Sequence, residues 1–365
     1  MTQTHKVPFM RIAKRESMPL WHSLLIWLIG LVLALAVSAI VIYAIVHLNP
    51  IKIYTAMFEG NFGSERRAWV FLRDMVMLLC IGIGLAPAFR MRFWNIGAEG
   101  QILIGGIATA AVMIYGGATM PTWALLVLSV VVSCIAGAIW GGIPGAFKAR
   151  YGTNETLFTL MMNYVAIQLT SFFVAVWENP YGSNTVGVIN QQTQAGWFPA
   201  ILGQKYLLNI LIVMVLTVAM FIYLRYSKHG YEIAVVGESE KTARYIGINV
   251  NKVILRTMML SGAICGLTGF ITVAGSSHTI STSTAGGSGF TAIIVAWLAK
   301  FNTFVMILVA GLLVFLEKGA IQIASQYNLN DYASEMITGI ILFFILGSEF
   351  FTHYRLIFRR GKEVE

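Results

Sequence analysis

Polar side chains set inside apolar sequence are where this chain of 365 residues could do chemistry. An acid or amide in hydrocarbon is expensive, so each is a functional hypothesis by default. One group is Phe93-Trp94-Asn95-Ile96-Gly97-Ala98-Glu99-Gly100-Gln101, with an acid and two carboxamides beside two aromatic rings. A second is Gly152-Thr153-Asn154-Glu155, with Asn163 about two helical turns further on. Amides, a carboxylate and aromatics together suit a neutral polar molecule with a flat ring or several hydroxyls. No cationic cluster accompanies them at mid-span, which disfavours an anion. Asn95, Glu99, Gln101, Asn154, Glu155 and Asn163 are therefore expected to line or gate a path. A purely structural reading stands beside this one. Thr153 or Asn154 can cap a helix, with Glu155 favoured by its positive end. Glu99 is either paired, with Arg90 or Arg92, or lines the route.

Other chemistry is excluded by pattern. His5, His22, His47, His229, His278 and His353 form no His-x-x-x-His pair, and no Gly-x-Ser-x-Gly elbow is present. No catalytic residue and no metal site are expected. No Gly-x-x-x-x-Gly-Lys-Ser/Thr loop is present, and the Lys241-Thr242 pair follows Glu240. If this protein works on ATP, another subunit supplies the nucleotide site. Cys80, Cys134 and Cys265 fall in apolar runs with no paired spacing, as buried hydrophobes do.

The elements that must hold these residues follow from composition. The chain is 57% hydrophobic and 11% charged, against about 25% charged in a soluble domain. Residues 23–46, 122–147, 156–177, 206–224 and 257–275 carry no charge, and each can cross ~30 Å of hydrocarbon as a helix. Shorter runs cover 75–89, 102–121, 289–299, 301–316 and 336–348. These predict an all-α polytopic membrane protein of about ten transmembrane helices, the shortest being re-entrant or broken. The first run is too long, and too far behind a basic segment, for a cleaved signal.

The net charge of +9 is orientation rather than a nucleic-acid footprint. With a cytoplasmic N-terminus, the exceptions to the positive-inside rule among the 25 Lys and Arg residues are Lys52, Arg66, Arg67, Arg73, Lys205 and Lys318. Both termini are then cytoplasmic. Residues 1–20 read as a basic arm, flexible or interfacial, 21–352 as the membrane domain and 353–365 as a tail. Residues 47–73 and 178–205 read as outside loops, the second being either a solvated connection or a contact for an external partner.

The polar segment 226–256 divides the spans into two sets. Each set holds one glycine-bearing break: 93–101, and Gly286-Gly287-Ser288-Gly289-Phe290-Thr291. Interrupted helices at matching places suggest two pseudo-repeated halves. Gly137, Gly141 and Gly145, and likewise Gly262 and Gly266, recur every fourth residue, which lets helices approach closely in lipid.

Three of these stretches carry a resemblance. Residues 93–101, Lys148-Ala149-Arg150-Tyr151-Gly152-Thr153-Asn154-Glu155 with Met162-Asn163-Tyr164, and Ala243-Arg244-Tyr245-Ile246-Gly247-Ile248-Asn249-Val250 with Ser261-Gly262-Ala263 resemble permease subunits of ABC importers. The family is the branched-chain amino acid and ribose type, and within it the likeness is to purine-nucleoside uptake permeases. It covers roughly residues 20–352. The second break departs from the family pattern, with Thr291 where an acid is usual and Lys300-Phe301-Asn302 for Gly-Arg-Asn.

The resemblance implies a bacterial cytoplasmic-membrane protein that passes a nucleoside-like solute inward, with a sugar or riboflavin-like ring as the alternative. It implies two ATPase subunits holding ATP and Mg, a second homologous permease, and a substrate-binding lipoprotein. It also implies that a short cytoplasmic helix, best placed at residues 238–246, docks into the ATPase. Ser239 or Glu238 would cap that helix and Gly247 would end it. Gly237, Glu238, Ala243, Arg244, Gly247 and Ile248 are the residues expected at that contact, with Lys241 and Arg244 supplying charge.

Overall fold

The structure, a computed structural model, describes residues 10–14, 20–46, 49–327 and 331–358. In hydrocarbon a backbone must satisfy its hydrogen bonds within its own segment, so apolar runs become helices. In chain order they are α1 (Leu20–Val46), α2 (Pro50–Phe62), α3 (Glu65–Arg90), α4 (Ala98–Gly116), α5 (Thr122–Tyr151) and α6 (Glu155–Val176). Then come α7 (Leu207–Tyr226), α8 (Lys228–Glu238), α9 (Glu240–Tyr245), α10 (Val250–Thr272), α11 (Ser288–Leu298), α12 (Thr303–Gln326) and α13 (Asp331–His353). A π-helical turn, Val273–Ser277, ends α10, and two strands, β1 (Met10–Lys14) and β2 (Tyr354–Phe358), flank the helices.

Among the described residues seven helices are long and apolar enough to cross a membrane: α3 to α7, α10 with its π turn, and α12. The first and last apolar runs lie in α1 and α13, of 27 and 23 residues. The run at 289–299 forms α11, whose 11 residues rise only ~16 Å, about half the hydrocarbon. It is a half-helix below a break.

The chain divides into two compact units, residues 65–314 and residues 1–64 with 315–365. In the larger unit α10 lies against α3, α4 and α5. The glycine spacing explains how. A Cβ on Gly262 would sit 2.1 Å from the Gly137 carbonyl oxygen, and one on Gly137 would sit 2.2 Å from that of Gly262. The α5 and α10 backbones touch, so no side chain larger than hydrogen fits.

In the smaller unit α1 packs on α13. Asn49 caps α2 by accepting from the Ile51 N–H, and Pro50 takes the first helical position. The expected outside loop at 47–73 is thus mostly helix, in α2 and the first turns of α3. Asn-Pro reads as a turn in sequence but is equally a helix start. β1 pairs antiparallel with β2, Met10 opposite Phe358 and Lys14 opposite Tyr354. Both terminal segments therefore lie on one side of this unit. The rest of the expected arm and tail, residues 1–9, 15–19 and 359–365, lies outside the described residues.

Candidate functional site

The two breaks meet. Glu99, in the first turn of α4, accepts the Gly287 N–H on Oε1 at 2.7 Å and the Gly289 N–H on Oε2 at 2.9 Å. Those amides open α11. A helix N-terminus presents unpaired N–H groups and a partial positive charge, and a carboxylate satisfies both. This contact accounts for a buried acid, 7% exposed. The expected partners are elsewhere: Arg90 donates to the Leu224 carbonyl and Arg92 lies 4.0 Å from Glu238. Pairing with Arg90 or Arg92 is therefore corrected to pairing with a helix end.

The other intramembrane amides pin the first break. Asn163 Oδ1 accepts the Gly100 N–H and its Nδ2 donates to the Ile96 carbonyl, both at 2.9 Å. Asn95 donates to Ser261 Oγ on α10 at 3.0 Å and accepts from Gln101 Nε2 at 3.3 Å. Thr159, which sequence reasoning passed over, accepts the Ile96 N–H at 3.1 Å. Every one of these side chains is buried. Each satisfies a backbone group or amide that hydrocarbon would leave unpaired. Asn154 and Glu155 sit apart from this cluster. Asn154 caps α6 by accepting the Leu157 N–H, and Glu155 takes the Lys148 ammonium at 2.8 Å, tying the end of α5 to α6.

Two surfaces adjoin the junction. On one side Trp94 stacks on Trp297 at 5.1 Å between centroids, and each ring is 44% exposed. On the other, a cavity of about 230 Å³ is lined by Arg73, Asp74, Ile102, Ser288 and the hydroxyls of Thr268, Thr272, Ser276, Ser277 and Thr284. Ser288 lies between the two glycines that hold Glu99. Thr268, Thr272 and Ser276 donate to carbonyls one turn back, which leaves their oxygens as acceptors. Arg73 is paired with Asp74 at 2.6 Å. Nothing in the sequence marked this pair, because Arg73 reads as loop charge beside Arg66 and Arg67.

The loop at 178–205 folds over the π turn. Ile189 N–H donates to the His278 carbonyl, Phe198 N–H to that of Ala274, and Trp197 stacks on the His278 ring at 3.8 Å. Burial lowers the His278 pKa.

The polar segment 226–256 forms two helices rather than one. Ser227 caps α8 by accepting the Gly230 N–H, and Ser239 caps α9 by accepting that of Thr242. The expected helix at 238–246 is corrected accordingly: Glu238 ends α8, and Ser239 is extended at φ −160°. An N-cap residue lies outside the helix its side chain starts, so the two helices cannot be continuous through it. Gly247 follows α9 at φ +85°, as expected of a helix stop.

This pair is seated on the spans. A Cβ on Gly237 would meet the Arg90 carbonyl at 2.2 Å. Ala243 is fully buried, and its carbonyl accepts the Ile248 N–H. Lys241, Arg244 and Tyr245 face outward, with Arg244 3.7 Å from Glu240. His229 bridges two spans. Thr257 Oγ1 donates to the Val253 carbonyl, so it accepts from His229 Nε2–H, and Nδ1 accepts from the Tyr223 hydroxyl at 2.7 Å. Burial lowers its pKa. A lone His at a span end gave no sequence signal for this bridge.

Residues 69–346 match the family described as branched-chain amino acid transport system, permease component. The guanosine ABC transporter permease protein NupP of Bacillus subtilis is 30% identical over 93% of this chain and 96% of its own length. The glucose ABC transporter permease protein TsgB13 of Haloferax volcanii is 28% identical over 97% of this chain and 96% of its own. The probable riboflavin import permease protein RfuC of Treponema pallidum is 24% identical over 79% and 76%.

Proposed function

Because this chain belongs to the branched-chain amino acid transport system permease family, we propose that it is the membrane subunit of an ATP-driven importer for a nucleoside-like solute. The observation that carries the solute reading is the near full-length match to a guanosine permease. The site's chemistry supports it. The exposed Trp94–Trp297 pair suits a flat ring, and the acceptor-rich cavity suits hydroxyl donors. A sugar is the second reading, favoured by the glucose permease relative and by the same hydroxyl lining.

In this reading ATP and Mg sit on partner ATPases, a second homologous permease completes the path, and a lipoprotein delivers the solute. Both termini and the α8–α9 pair face the cytoplasm. ATPase closure pushes on the outward face of α9 at Lys241, Arg244 and Tyr245. The seat of α8 on the end of α3 passes that motion to the spans. The Glu99 contact between breaks then opens and closes as Asn95, Gln101 and Asn163 hold the first break in shape. Asn154 and Glu155 fix the start of α6, whose Asn163 reaches that break.

The test is a thermal-shift panel on the cognate binding lipoprotein, with nucleosides, pentoses, glucose and riboflavin. Stabilisation by a nucleoside at the lowest concentration supports the reading. Stabilisation by glucose alone assigns the sugar, and by riboflavin alone rejects both.

A further inference from the structure

The ends of α3, α7 and α11 and the start of α12 line a second, open cavity of about 390 Å³, with Arg90, Arg225, Lys300, Phe221, Phe301 and Thr303 in its wall and no carboxylate in the lining. Its volume is that of a small-molecule site. Three cations converge there from three helix ends. Arg90 spends one nitrogen on the Leu224 carbonyl and keeps its other donors. Arg225 lies over the rings of Phe221 and Tyr226 at 5.7 and 5.8 Å. Thr303 is 2% exposed, and its hydroxyl is buried without a hydrogen-bond partner. Lys300 and Phe301 both adopt positive φ, 49° and 60°. That conformation is unfavourable for bulky residues and concentrates where a segment is shaped for binding.

What lies beside the cavity identifies its occupant. Leu211, Val215, Val218 and Ile222 are exposed on α7 at spacings of four, three and four, and form one apolar stripe. The stripe continues on the same face to Arg225, at the cavity wall. A basic, hydroxyl-bearing pocket at a helix end, continued by an apolar stripe along the span, matches one ligand in both parts. The geometry points to an anionic phospholipid, its phosphodiester among Arg90, Arg225 and Lys300 and its acyl chains along α7. Arginine forks and an ammonium bind phosphate oxygens, and the unpaired Thr303 hydroxyl supplies a further donor. The assignment is independent of which solute is carried. It makes the α3, α7 and α11 ends, of which the first two support α8, sensitive to the lipid around them.

The experiment uses the full chain in nanodiscs of phosphatidylcholine with or without phosphatidylglycerol, released into detergent and analysed by native mass spectrometry. Phosphatidylglycerol should be retained and phosphatidylcholine lost. Each cation contributes about fivefold, so Arg225→Gln with Lys300→Gln should weaken retention roughly 25-fold. Arg66→Gln with Arg67→Gln, the same charge change at the opposite end of α3, should retain the lipid. Inorganic phosphate should not displace it, because a free anion lacks the acyl contacts. Equal retention by the double variant, equal retention of phosphatidylcholine, or displacement by inorganic phosphate would each overturn the assignment. So would crosslinking of Lys300 to an acidic partner segment in a complex that retains no lipid.

Discussion

Replacing Glu99 by glutamine keeps the side chain's shape and removes one acceptor from the contact between the breaks. The carboxylate takes two N–H donors, from Gly287 and Gly289, in a site only 7% exposed. Glutamine can accept one of them, and its NH₂ then faces the other donor. One buried N–H without a partner costs about 1–3 kcal/mol. Losing the negative charge at the α11 N-terminus costs up to ~2 kcal/mol more in a partly buried setting. About 3 kcal/mol in sum corresponds to roughly a hundredfold easier local opening. The assay is amide hydrogen exchange on the full chain. Exchange at residues 287–290 should accelerate by about that factor in Glu99→Gln, with α5 and α10 unchanged. Gly289→Ala should loosen the same amides, since its Cβ would meet Glu99 Oε2 at 2.7 Å. Unchanged exchange at 287–290 would refute the reasoning, as would loosening spread equally over α5 and α10.

Three further outcomes follow from other contacts. Gly262→Ala places a methyl 2.1 Å from the Gly137 carbonyl. It should cost about 1–3 kcal/mol, seen as a lower Tm, whereas Gly347→Ala, which meets nothing within 4 Å, should not lower it. Arg244→Glu reverses an outward charge on α9 and should leave folding intact while abolishing transport-coupled ATP hydrolysis; unchanged transport would remove α9 from the coupling role. His229 is neutral in its bridge, and burial holds its pKa below the ordinary 6.5. A depressed base favours the folded state fully above the unfolded pKa and loses that support as pH falls below it. The Tm should therefore drop between about pH 7.5 and pH 5.5 by more in the native chain than in His229→Gln. Equal drops would show that the bridge does not titrate.

Much of the site was legible locally. Both breaks announce themselves by glycine and polar residues between apolar runs, and the helix cap at Ser239 carries the usual side-chain signal. What was not legible is pairing at long range. Glu99 meets Gly287 across 188 residues, and no local pattern says which helix end an intramembrane acid will serve. The division of the 226–256 segment is not legible for a related reason. Gly230 and Gly237 lower helix propensity, so α8 reads as loop. Tertiary contact decides otherwise, because only glycine fits Gly237 against the Arg90 carbonyl. Arg73 and Asp74 were hidden by their neighbours. Arg66-Arg67 and the Asn49-Pro50 turn made the whole of 47–73 look like loop, while α3 starts at Glu65 and carries the pair about two turns into the helix.

The most direct test is uptake in proteoliposomes containing this chain with the ATPases, second permease and binding lipoprotein proposed for it. The account predicts labelled guanosine accumulation that requires ATP inside, is competed by unlabelled nucleosides, and is not competed by glucose at the same concentration. Uptake that proceeds without ATP, or that glucose competes as well as guanosine does, would contradict it.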